Sequence, residues 1–141
     1  MIYLDSNVFL FALLYDDKAL SESFFSKDLL KGIIEHKVLA CSSVLTWDEV
    51  VYVVRKKFGL RESVLAGEKI LSFPNLKLIE TDLEVMTIAQ TLLDNYSVRP
   101  RDAIHAATAL FSRADYIISE DTDFDRIKQC RRLSLEQYLT L

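Results

Sequence analysis

Short apolar runs alternate with longer segments of helical periodicity along this chain. Three of the short runs predict buried strands at Ile2–Leu4, Leu76–Ile79 and Tyr116–Ile118. Two further strands are expected at residues 37–41 and around residues 130–133. The remaining segments predict helices over residues 8–14, 20–35, 61–71 and 100–113. Two further helices are expected to end at Phe58 and at Tyr96. A turn or short helix is expected at residues 121–127, and a last helix after Ser134.

Polar residues and glycine mark the predicted ends of several helices. Ser6 or Asn7 is expected to cap the first helix, with Asp5 as an alternative cap that suits the position equally well. Ser42 with Ser43 is expected to cap the helix of the middle segment, because their side-chain oxygens accept hydrogen bonds from free backbone N–H groups. Gly59 follows that middle helix at the position where a residue with positive φ commonly ends a helix.

Two patterns predict capping boxes, in which a hydroxyl residue and an acid or amide three positions later satisfy each other's backbone N–H groups. Thr81 with Glu84 predicts the start of the helix before Tyr96, and Ser134 with Gln137 predicts the start of the last helix. Pro100 is expected at the first position of an alanine-rich helix, where a missing N–H costs nothing.

The order of these elements predicts an α/β fold. We expect a three-layer sandwich in which helices cover both faces of a twisted parallel β-sheet, formed by one domain over residues 1–141. Ligands of such sheets bind at the carboxyl ends of the strands. Asp5 ends the first predicted strand and Asp121 follows the strand Tyr116–Ile118, so both acids are expected on the same edge of the sheet.

The charge composition disfavours one class of protein. The chain is 50% hydrophobic and 27% charged, and its net charge is −4. A simple nucleic-acid-binding module is usually basic, whereas a nuclease with an acidic site tolerates this charge. Basic residues still cluster at residues 55–57 with Arg61, at Arg99 with Arg101, and at residues 131–132. These clusters suit either a phosphate groove or a solvated helix face, and we favour the second for most of them.

The chain has no sequence feature of a membrane or secreted protein. No apolar run approaches the ~20 residues of a membrane span, and the first residues lack a basic targeting segment. We therefore expect a cytoplasmic protein with no membrane association. Cys41 and Cys130 match neither a metal-ligand spacing nor a disulfide framework, and both are expected as buried or half-buried thiols.

Several acidic residues lie where predicted strands or helices meet loops: Asp5, Glu49, Asp102, Asp121 and Asp123. Carboxylates repel one another, so a cleft that collects several of them requires a cation. An oxygen-only site for a hard divalent ion, Mg²⁺ or Mn²⁺, is the expected outcome. Such a site most often serves phosphate chemistry.

Two of these acids have competing interpretations. Glu49 interrupts a partly apolar helix face, but Asp48 replaces it as the ligand if the helical phase is shifted by one residue. Asp102 lies at the third position of its helix, where an acid is also explained by its favourable interaction with the helix dipole, and one turn from His105. We expect His105 to orient a neighbouring group through a hydrogen bond, in preference to binding metal or moving a proton.

The acids after the strand Tyr116–Ile118 do not form a calcium loop, because the glycine required at its sixth position is absent. Asp121 or Asp123 is expected to face the cleft, and we prefer Asp121 as the direct ligand. Ser119 is expected beside them as a hydrogen-bond donor, and Glu120 is expected to point away.

Together these motifs resemble the PIN domain family, small nuclease domains typified by the VapC-type toxins of toxin–antitoxin pairs. The resemblance is carried by residues 2–8 (IYLDSNV), Glu49, residues 100–107 (PRDAIHAA) and residues 117–124 (IISEDTDF). The family usually has Thr where this chain has Ser119, which keeps the hydroxyl group.

The resemblance implies an endoribonuclease that uses Mg²⁺ or Mn²⁺, with a homodimer and a small antitoxin protein as expected partners. It implies that the catalytic and metal-binding oxygens come from a set of acids, with further residues that orient them. The set is Asp5, Glu49, Asp102 and Asp121, with Asp123 as a further metal ligand, and the orienting residues are Asn7, Ser119 and His105.

Other interpretations compete with this one. A phosphatase of the haloacid dehalogenase type needs a second aspartate where Asn7 stands, and a receiver-type phosphoacceptor needs its acids in a different order, so both are disfavoured. A PIN-like nuclease of RNA processing or decay that has no antitoxin remains an alternative. So does a non-catalytic PIN-like scaffold that binds RNA or protein, although the intact acids argue against it.

Overall fold

The computed structural model describes residues 1–141 and contains one sheet of five strands. The strands are β1 (Ile2–Leu4), β2 (Ala40–Ser43), β3 (Leu76–Ile79), β4 (Tyr116–Ile118) and β5 (Arg132–Leu133). Every neighbouring pair is parallel, and the spatial order is β3-β2-β1-β4-β5. The central position of β1 places its carboxyl end in the middle of the sheet's edge.

Seven α-helices and one 3₁₀ helix connect the strands. They are α1 (Ser6–Leu14), α2 (Ser21–Ile34), α3 (Leu45–Phe58), α4 (Leu60–Leu71), α5 (Leu83–Asn95), α6 (Pro100–Phe111), the 3₁₀ helix (Thr122–Arg126) and α7 (Leu135–Leu139). Helices α1 to α4 and α7 contribute to the core on one face of the sheet, and α5 and α6 to the core on the other. The predicted three-layer α/β sandwich is therefore confirmed.

Alternation along β1 assigns its side chains to the two cores. Ile2 and Leu4 pack with α1 and α2 on one face, whereas Tyr3 packs against α6 on the other. Because successive residues of a strand point to opposite faces, the extended backbone at Asp5 directs that side chain to the same side as Tyr3. The acid at the end of β1 is thus aimed at α6.

One predicted strand is displaced. We expected residues 37–41, but β2 is Ala40–Ser43. The N–H groups of Lys37 and Val38 both donate to the carbonyl of Gly32, so these residues complete the end of α2. Pairing with the central strand begins only at Ala40, which is aligned with Ile2.

Two helices are capped by an aspartate in place of the neighbouring hydroxyl or amide residue. Asp5, and neither Ser6 nor Asn7, caps α1 by accepting a hydrogen bond from the N–H of Ser6. Asp82 caps α5 by accepting from the N–H of Val85. In both cases a neighbouring aspartate takes the donor, because its short side chain presents two acceptor oxygens to the first turn of the helix.

The cap of α3 is only partly as expected. Ser42 and Ser43 lie within β2, and Val44 is the cap residue without a side-chain bond of its own. The hydroxyl of Ser43 nevertheless accepts from the N–H of Leu45, whereas the hydroxyl of Ser42 bonds to Thr46 and to the carbonyl of Leu4. Ser42 therefore joins β1, β2 and α3 in place of capping.

Three other boundaries are confirmed. Gly59 ends α3 with a φ of 92°, a left-handed conformation that favours glycine. Pro100 is the first residue of α6, and Ser134 with Gln137 forms the capping box of α7.

The cysteine and membrane expectations have separate outcomes. Cys41 is buried and Cys130 is half-buried, and both are free thiols, as predicted. None of the helices has both the length and the apolar composition that a bilayer crossing requires.

Candidate metal-binding site

A polar cleft opens at the carboxyl edge of the sheet, where β1 and β4 lie side by side. The chain moves from β1 to β2 on one side and returns to β4 on the other, so this is the point at which strand order reverses. Ligands of open parallel sheets bind at such points. The cleft has a volume of about 600 Å³ and no hydrophobic wall residue; it is lined by Asp5, Ser6, Asn7, Glu49, Arg99, Pro100, Arg101, Asp102 and Asp121.

Asp5 is held in one orientation at the floor of the cleft. Its Oδ1 accepts from the N–H of Ser6 at 2.7 Å. Its Oδ2 accepts from Ser119 Oγ at 2.6 Å and from Asn7 Nδ2 at 2.8 Å. Because these partners come from α1 and from the end of β4, the contacts fix the carboxylate at the junction of the two central strands.

Glu49 lies beside Asp5 and is held by a chain of hydrogen bonds from α6 and β1. His105 Nε2 is 2.7 Å from Glu49 Oε2 and 3.7 Å from Asp5 Oδ1. On the other side of the ring, His105 Nδ1 is 2.6 Å from the hydroxyl of Tyr3.

The partner of Tyr3 assigns the tautomer of this histidine. The N–H of Ser43 donates to the Tyr3 oxygen at 3.2 Å, which leaves the Tyr3 O–H free to donate to His105 Nδ1. The neutral ring then carries its proton on Nε2 and donates it to Glu49. We call Asp5, Glu49 and His105 the buried trio; their candidate ligand atoms lie within 4.8 Å of one another.

The pKa values of the buried trio reflect competition between burial and hydrogen bonding. Burial raises the pKa of Asp5 above its ordinary value, against the opposing effects of His105 and Ser119. Burial also acts to raise the pKa of Glu49, but the hydrogen bond and charge of His105 outweigh it and the pKa is lowered. For His105, burial acts to lower the pKa, and the bond to Glu49 together with the charge of Asp5 raises it overall.

A second acidic group lies at the mouth of the cleft. It consists of Asp102 on α6 and of Asp121 and Asp123 at the start of the 3₁₀ helix. One carboxylate oxygen of each residue lies within 4.8 Å of one oxygen of each of the other two. We call these residues the outer trio. The guanidinium of Arg99 contacts all of them, with Nε 2.9 Å from Asp102, and Nη2 2.7 Å from Asp121 and 3.6 Å from Asp123.

The outer trio is less buried and its cation is exposed. Partial burial raises the pKa of Asp102, while the bond from Arg99 acts in the opposite direction. The bond to Asp102 in turn raises the pKa of Arg99, whose side chain is 68% exposed. The protein itself therefore supplies a hydrogen-bond donor to both trios, a buried imidazole N–H in one and an exposed, charged guanidinium in the other.

The donor atoms of the cleft fit a hard divalent cation. Carboxylate oxygens are the ligands such ions prefer, and both trios contribute acids to the wall of one cleft: Asp5, Glu49, Asp102 and Asp121. Asn7 adds an independent observation, because its Oδ1 is buried without a hydrogen-bond partner although its Nδ2 bonds to both Asp5 and Ser119. A buried acceptor of this kind is expected to receive a hydrogen bond from a ligand or from ordered water.

Comparison with known proteins agrees with the fold. Residues 2–129 match the PIN domain. The chain belongs to the PIN domain family. A relative among characterised proteins is ribonuclease VapC6 of Methanocaldococcus jannaschii, which is 20% identical over 89% of this chain and 92% of its own length.

Solved structures share the architecture of this PIN domain. VapBC2 from Rickettsia felis, bound to a DNA fragment from its promoter, superposes with a TM-score of 0.71 at 18% identity, covering 95% of this chain and 98% of the other. Mycobacterium tuberculosis VapC20, a Sarcin-Ricin loop cleaving toxin, gives a TM-score of 0.71 at 16% identity, covering 89% and 93%. At these identities the likeness establishes the fold.

The PIN domain brings the sequence-predicted residues together, but as two groups. Asp5, Glu49 and His105 form one group, and Asp102, Asp121 and Asp123 form the other. Of these residues, Asp5, Glu49, Asp102 and Asp121 line the cleft. Asn7 and Ser119 bond to each other and to Asp5, as expected of residues that orient a carboxylate. Asp48 points to solvent and pairs with Arg101, so the helical phase favours Glu49. Glu120 turns away and accepts from the N–H of Leu135.

Two residues of the site were not predicted. Tyr3 reads as one more apolar position of a strand, yet it lies two residues before Asp5 and therefore on the same side of β1. That spacing is the signal that would have identified it. Arg99 was noted only as part of a basic cluster, and its position three residues before Asp102, one helical turn away, is the corresponding signal.

Proposed function

We propose that this PIN domain is a metal-dependent endoribonuclease that hydrolyses phosphodiester bonds of RNA. One observation carries the proposal: carboxylates from β1, α3, α6 and the 3₁₀ helix meet in one polar cleft at the switch point of the sheet. A scaffold without catalytic function has no need for repelling charges at this position.

The named relatives support the choice of substrate. VapC6 is a ribonuclease and VapC20 is a toxin that cleaves the Sarcin-Ricin loop. The R. felis protein belongs to a VapBC complex. By this similarity, the chain acts as the toxin of a type II toxin–antitoxin pair, forms a homodimer and is held inactive by a small antitoxin protein in the cytoplasm.

The ligand set follows from the two trios. Asp5 and Glu49 on the floor, with Asp102, Asp121 and Asp123 at the mouth, would hold Mg²⁺ or Mn²⁺. The bound ion would activate water for attack on phosphorus and stabilise negative charge on the phosphate oxygens.

The chain's own residues prepare this chemistry. Asn7 and Ser119 orient Asp5, and the Tyr3–His105 pair orients Glu49. His105 contacts Oε2 of Glu49, and the other carboxylate oxygen would orient the attacking water or take its proton. Departure of the 3′ oxygen, which takes up a proton from solvent water, leaves a 5′ phosphate and a 3′ hydroxyl. Arg101 on the rim offers an exposed guanidinium to the RNA backbone.

Cleavage of an RNA panel tests the proposal. Wild type and Asp102→Asn are purified side by side and incubated with single-stranded and structured RNAs in Mg²⁺, in Mn²⁺ and in EDTA. We expect cleavage by wild type only with metal, and none above background by Asp102→Asn.

The matched control is Asp48→Asn, which removes an exposed acid that also pairs with an arginine. Its cleavage rate is expected to stay within about twofold of wild type, because an exposed ion pair contributes little and neither trio is altered. Full activity of Asp102→Asn, or wild-type cleavage that persists in EDTA, would reject the metal site as proposed.

The toxin assignment needs its own test, because an RNA-processing PIN nuclease would have the same cleft. Light scattering coupled to size-exclusion chromatography measures whether the purified chain is a dimer. Co-expression with the product of a small adjacent gene then tests inhibition. A monomer that no adjacent product binds favours the processing nuclease.

A further inference from the structure

The contacts of Arg99 differ from those of every other arginine near the cleft. Its guanidinium bridges three carboxylates, with nitrogen–oxygen distances of 2.9, 2.7 and 3.6 Å to Asp102, Asp121 and Asp123. Arg101, two residues further along α6, reaches only Asp48 at 3.4 Å. Position on the same helix terminus therefore does not explain the bridging, which is specific to Arg99.

The bridge uses oxygens that a metal ion would need. Asp121 Oδ1 accepts from the N–H of Asp123 at 2.9 Å and so caps the 3₁₀ helix, which leaves Oδ2 as the available oxygen. Arg99 occupies that Oδ2, and it also occupies Oδ2 of Asp102. Asp123 meets Arg99 through Oδ2 and Arg126 through Oδ1. Each of these oxygens keeps a second lone pair, but an ion that binds there has to share the oxygen with the guanidinium, whose positive charge repels it.

Arg99 is able to leave its trio, whereas His105 is not. The Arg99 side chain is 68% exposed, and exposed ion pairs are weak and screened by salt. His105 is buried and is held from both sides by Tyr3 and Glu49. Release of the outer trio thus requires only a rotamer change in water.

We propose that Arg99 is a displaceable internal counter-ion of the outer trio, which competes with divalent cations for Asp102 and Asp121. It stabilises the metal-free cleft by neutralising the clustered carboxylates, and it lowers the affinity of the cleft for metal by the same contacts. This inference rests on the proposed metal-dependent function, since the competing ligand is the metal ion.

Calorimetric titration with Mn²⁺ tests the competition without any measurement of cleavage. Arg99→Gln removes the cation, and Arg101→Gln is the matched control, with the same change of charge and side-chain length on the same helix. Arg99→Gln is expected to bind Mn²⁺ about three- to tenfold more tightly than wild type, the scale of a few exposed ion pairs. Arg101→Gln is expected to stay within about twofold of wild type.

Thermal melting provides a second readout. In EDTA, Arg99→Gln is expected to melt below Arg101→Gln, because its outer carboxylates have lost their cation. Saturating Mn²⁺ is expected to remove that difference.

The outcomes separate the inference from the function on which it rests. If wild type binds Mn²⁺ but Arg99→Gln binds it no more tightly than Arg101→Gln, the competition is refuted and the metal site stands. If Arg99→Gln binds more weakly than wild type, Arg99 supports the metal site and the inference is equally refuted. If no variant binds Mn²⁺, the proposed metal-dependent function fails together with the inference.

Discussion

The buried trio and the outer trio solve the same electrostatic problem in different ways. Each gathers carboxylates that repel one another. Each also contains a nitrogen-bearing side chain that donates a hydrogen bond to at least one of these carboxylates. In the buried trio this side chain is His105, which is 1% exposed and bonded on both ring nitrogens. In the outer trio it is Arg99, which is 68% exposed and free to rotate into water. One half of the site is therefore preorganised and the other is adaptable.

Helix α6 connects the two halves. Asp102 and His105 lie one turn apart on it, so the same helix places one acid at the mouth and one imidazole at the floor. Its alanine side chains, Ala103, Ala106 and Ala107, are fully buried against the sheet. Small side chains allow the close approach that brings both groups to the edge of β1. A displacement of α6 is expected to change both trios at once.

The largest expected effect of a single substitution is a loss of catalysis, caused by a change in the buried trio. Asp5→Asn removes a ligand whose orientation three hydrogen bonds define, and the neighbouring residues cannot replace it. We expect the rate of RNA cleavage to fall by more than about 100-fold, beyond the loss that follows when an outer partner of a metal ligand is removed. Initial rates at saturating Mn²⁺ measure this.

Folding of the Asp5→Asn protein is expected to be retained. Burial raises the pKa of Asp5, which means that its ionised form is disfavoured in the folded protein, so a neutral amide relieves that cost. Circular dichroism and thermal melting in EDTA check this, with Asp28→Asn on the exposed side of α2 as the control for a remote charge change. An Asp5→Asn protein that is folded and cleaves at more than a tenth of the wild-type rate would contradict its assignment.

The next largest effect concerns stability. Tyr3→Phe leaves both the N–H of Ser43 and Nδ1 of His105 without their buried partner. The free energy of unfolding is expected to fall by about 1–3 kcal/mol, the cost of an unsatisfied buried polar group. Urea denaturation measures it, and Tyr52→Phe on the exposed face of α3 provides the control.

The expected change for Tyr52→Phe is within about 0.5 kcal/mol. If Tyr3→Phe is no less stable than this control, the hydrogen-bond chain from β1 to Glu49 does not contribute as described. The outer trio offers no counterpart, because its bonds are exposed to water.

The smallest effect separates two members of the outer trio. Asp121 lies 2.7 Å from Arg99 and also caps the 3₁₀ helix, whereas Asp123 lies 3.6 Å away and shares its charge with Arg126. We expect Asp121→Asn to lower cleavage by about ten- to a hundredfold and Asp123→Asn by less than about tenfold. The control is Asp125→Asn, which removes an acid of the same segment that pairs with Arg132. A larger loss in Asp123→Asn would exchange the roles of the two residues.

The sequence predicted those parts of the fold that depend on local pattern. The strands Ile2–Leu4, Leu76–Ile79 and Tyr116–Ile118 are apolar or alternating runs between polar breaks, and all three were predicted at their observed bounds. The strand predicted at residues 37–41 is displaced because Val38 and Leu39 have the composition of a strand, whereas the backbone of residues 37 and 38 completes the end of α2. Which of two adjacent polar residues caps a helix, as at Thr81 and Asp82, depends on geometry that a pattern does not fix.

The site was predictable as a set of acids but not as two groups. Acids at the ends of strands and helices are visible in the sequence, and the parallel topology requires Asp5 and Asp121 to share an edge. The bond between Tyr3 and His105 spans 102 positions, and the bond between Arg99 and Asp121 spans 22. Contacts of this kind depend on how far each strand extends and how α6 is packed, which local periodicity does not contain.

Manganese soaked into crystals of the wild-type protein tests the central claim most directly, because its anomalous scattering locates the ion without ambiguity. We predict an anomalous peak in the cleft within about 2.0–2.3 Å of carboxylate oxygens from Asp5 and Asp102, the distance range of hard divalent ions with oxygen ligands. A fully ordered cleft with no peak near any of these oxygens would contradict the proposal that the two trios form a divalent metal site.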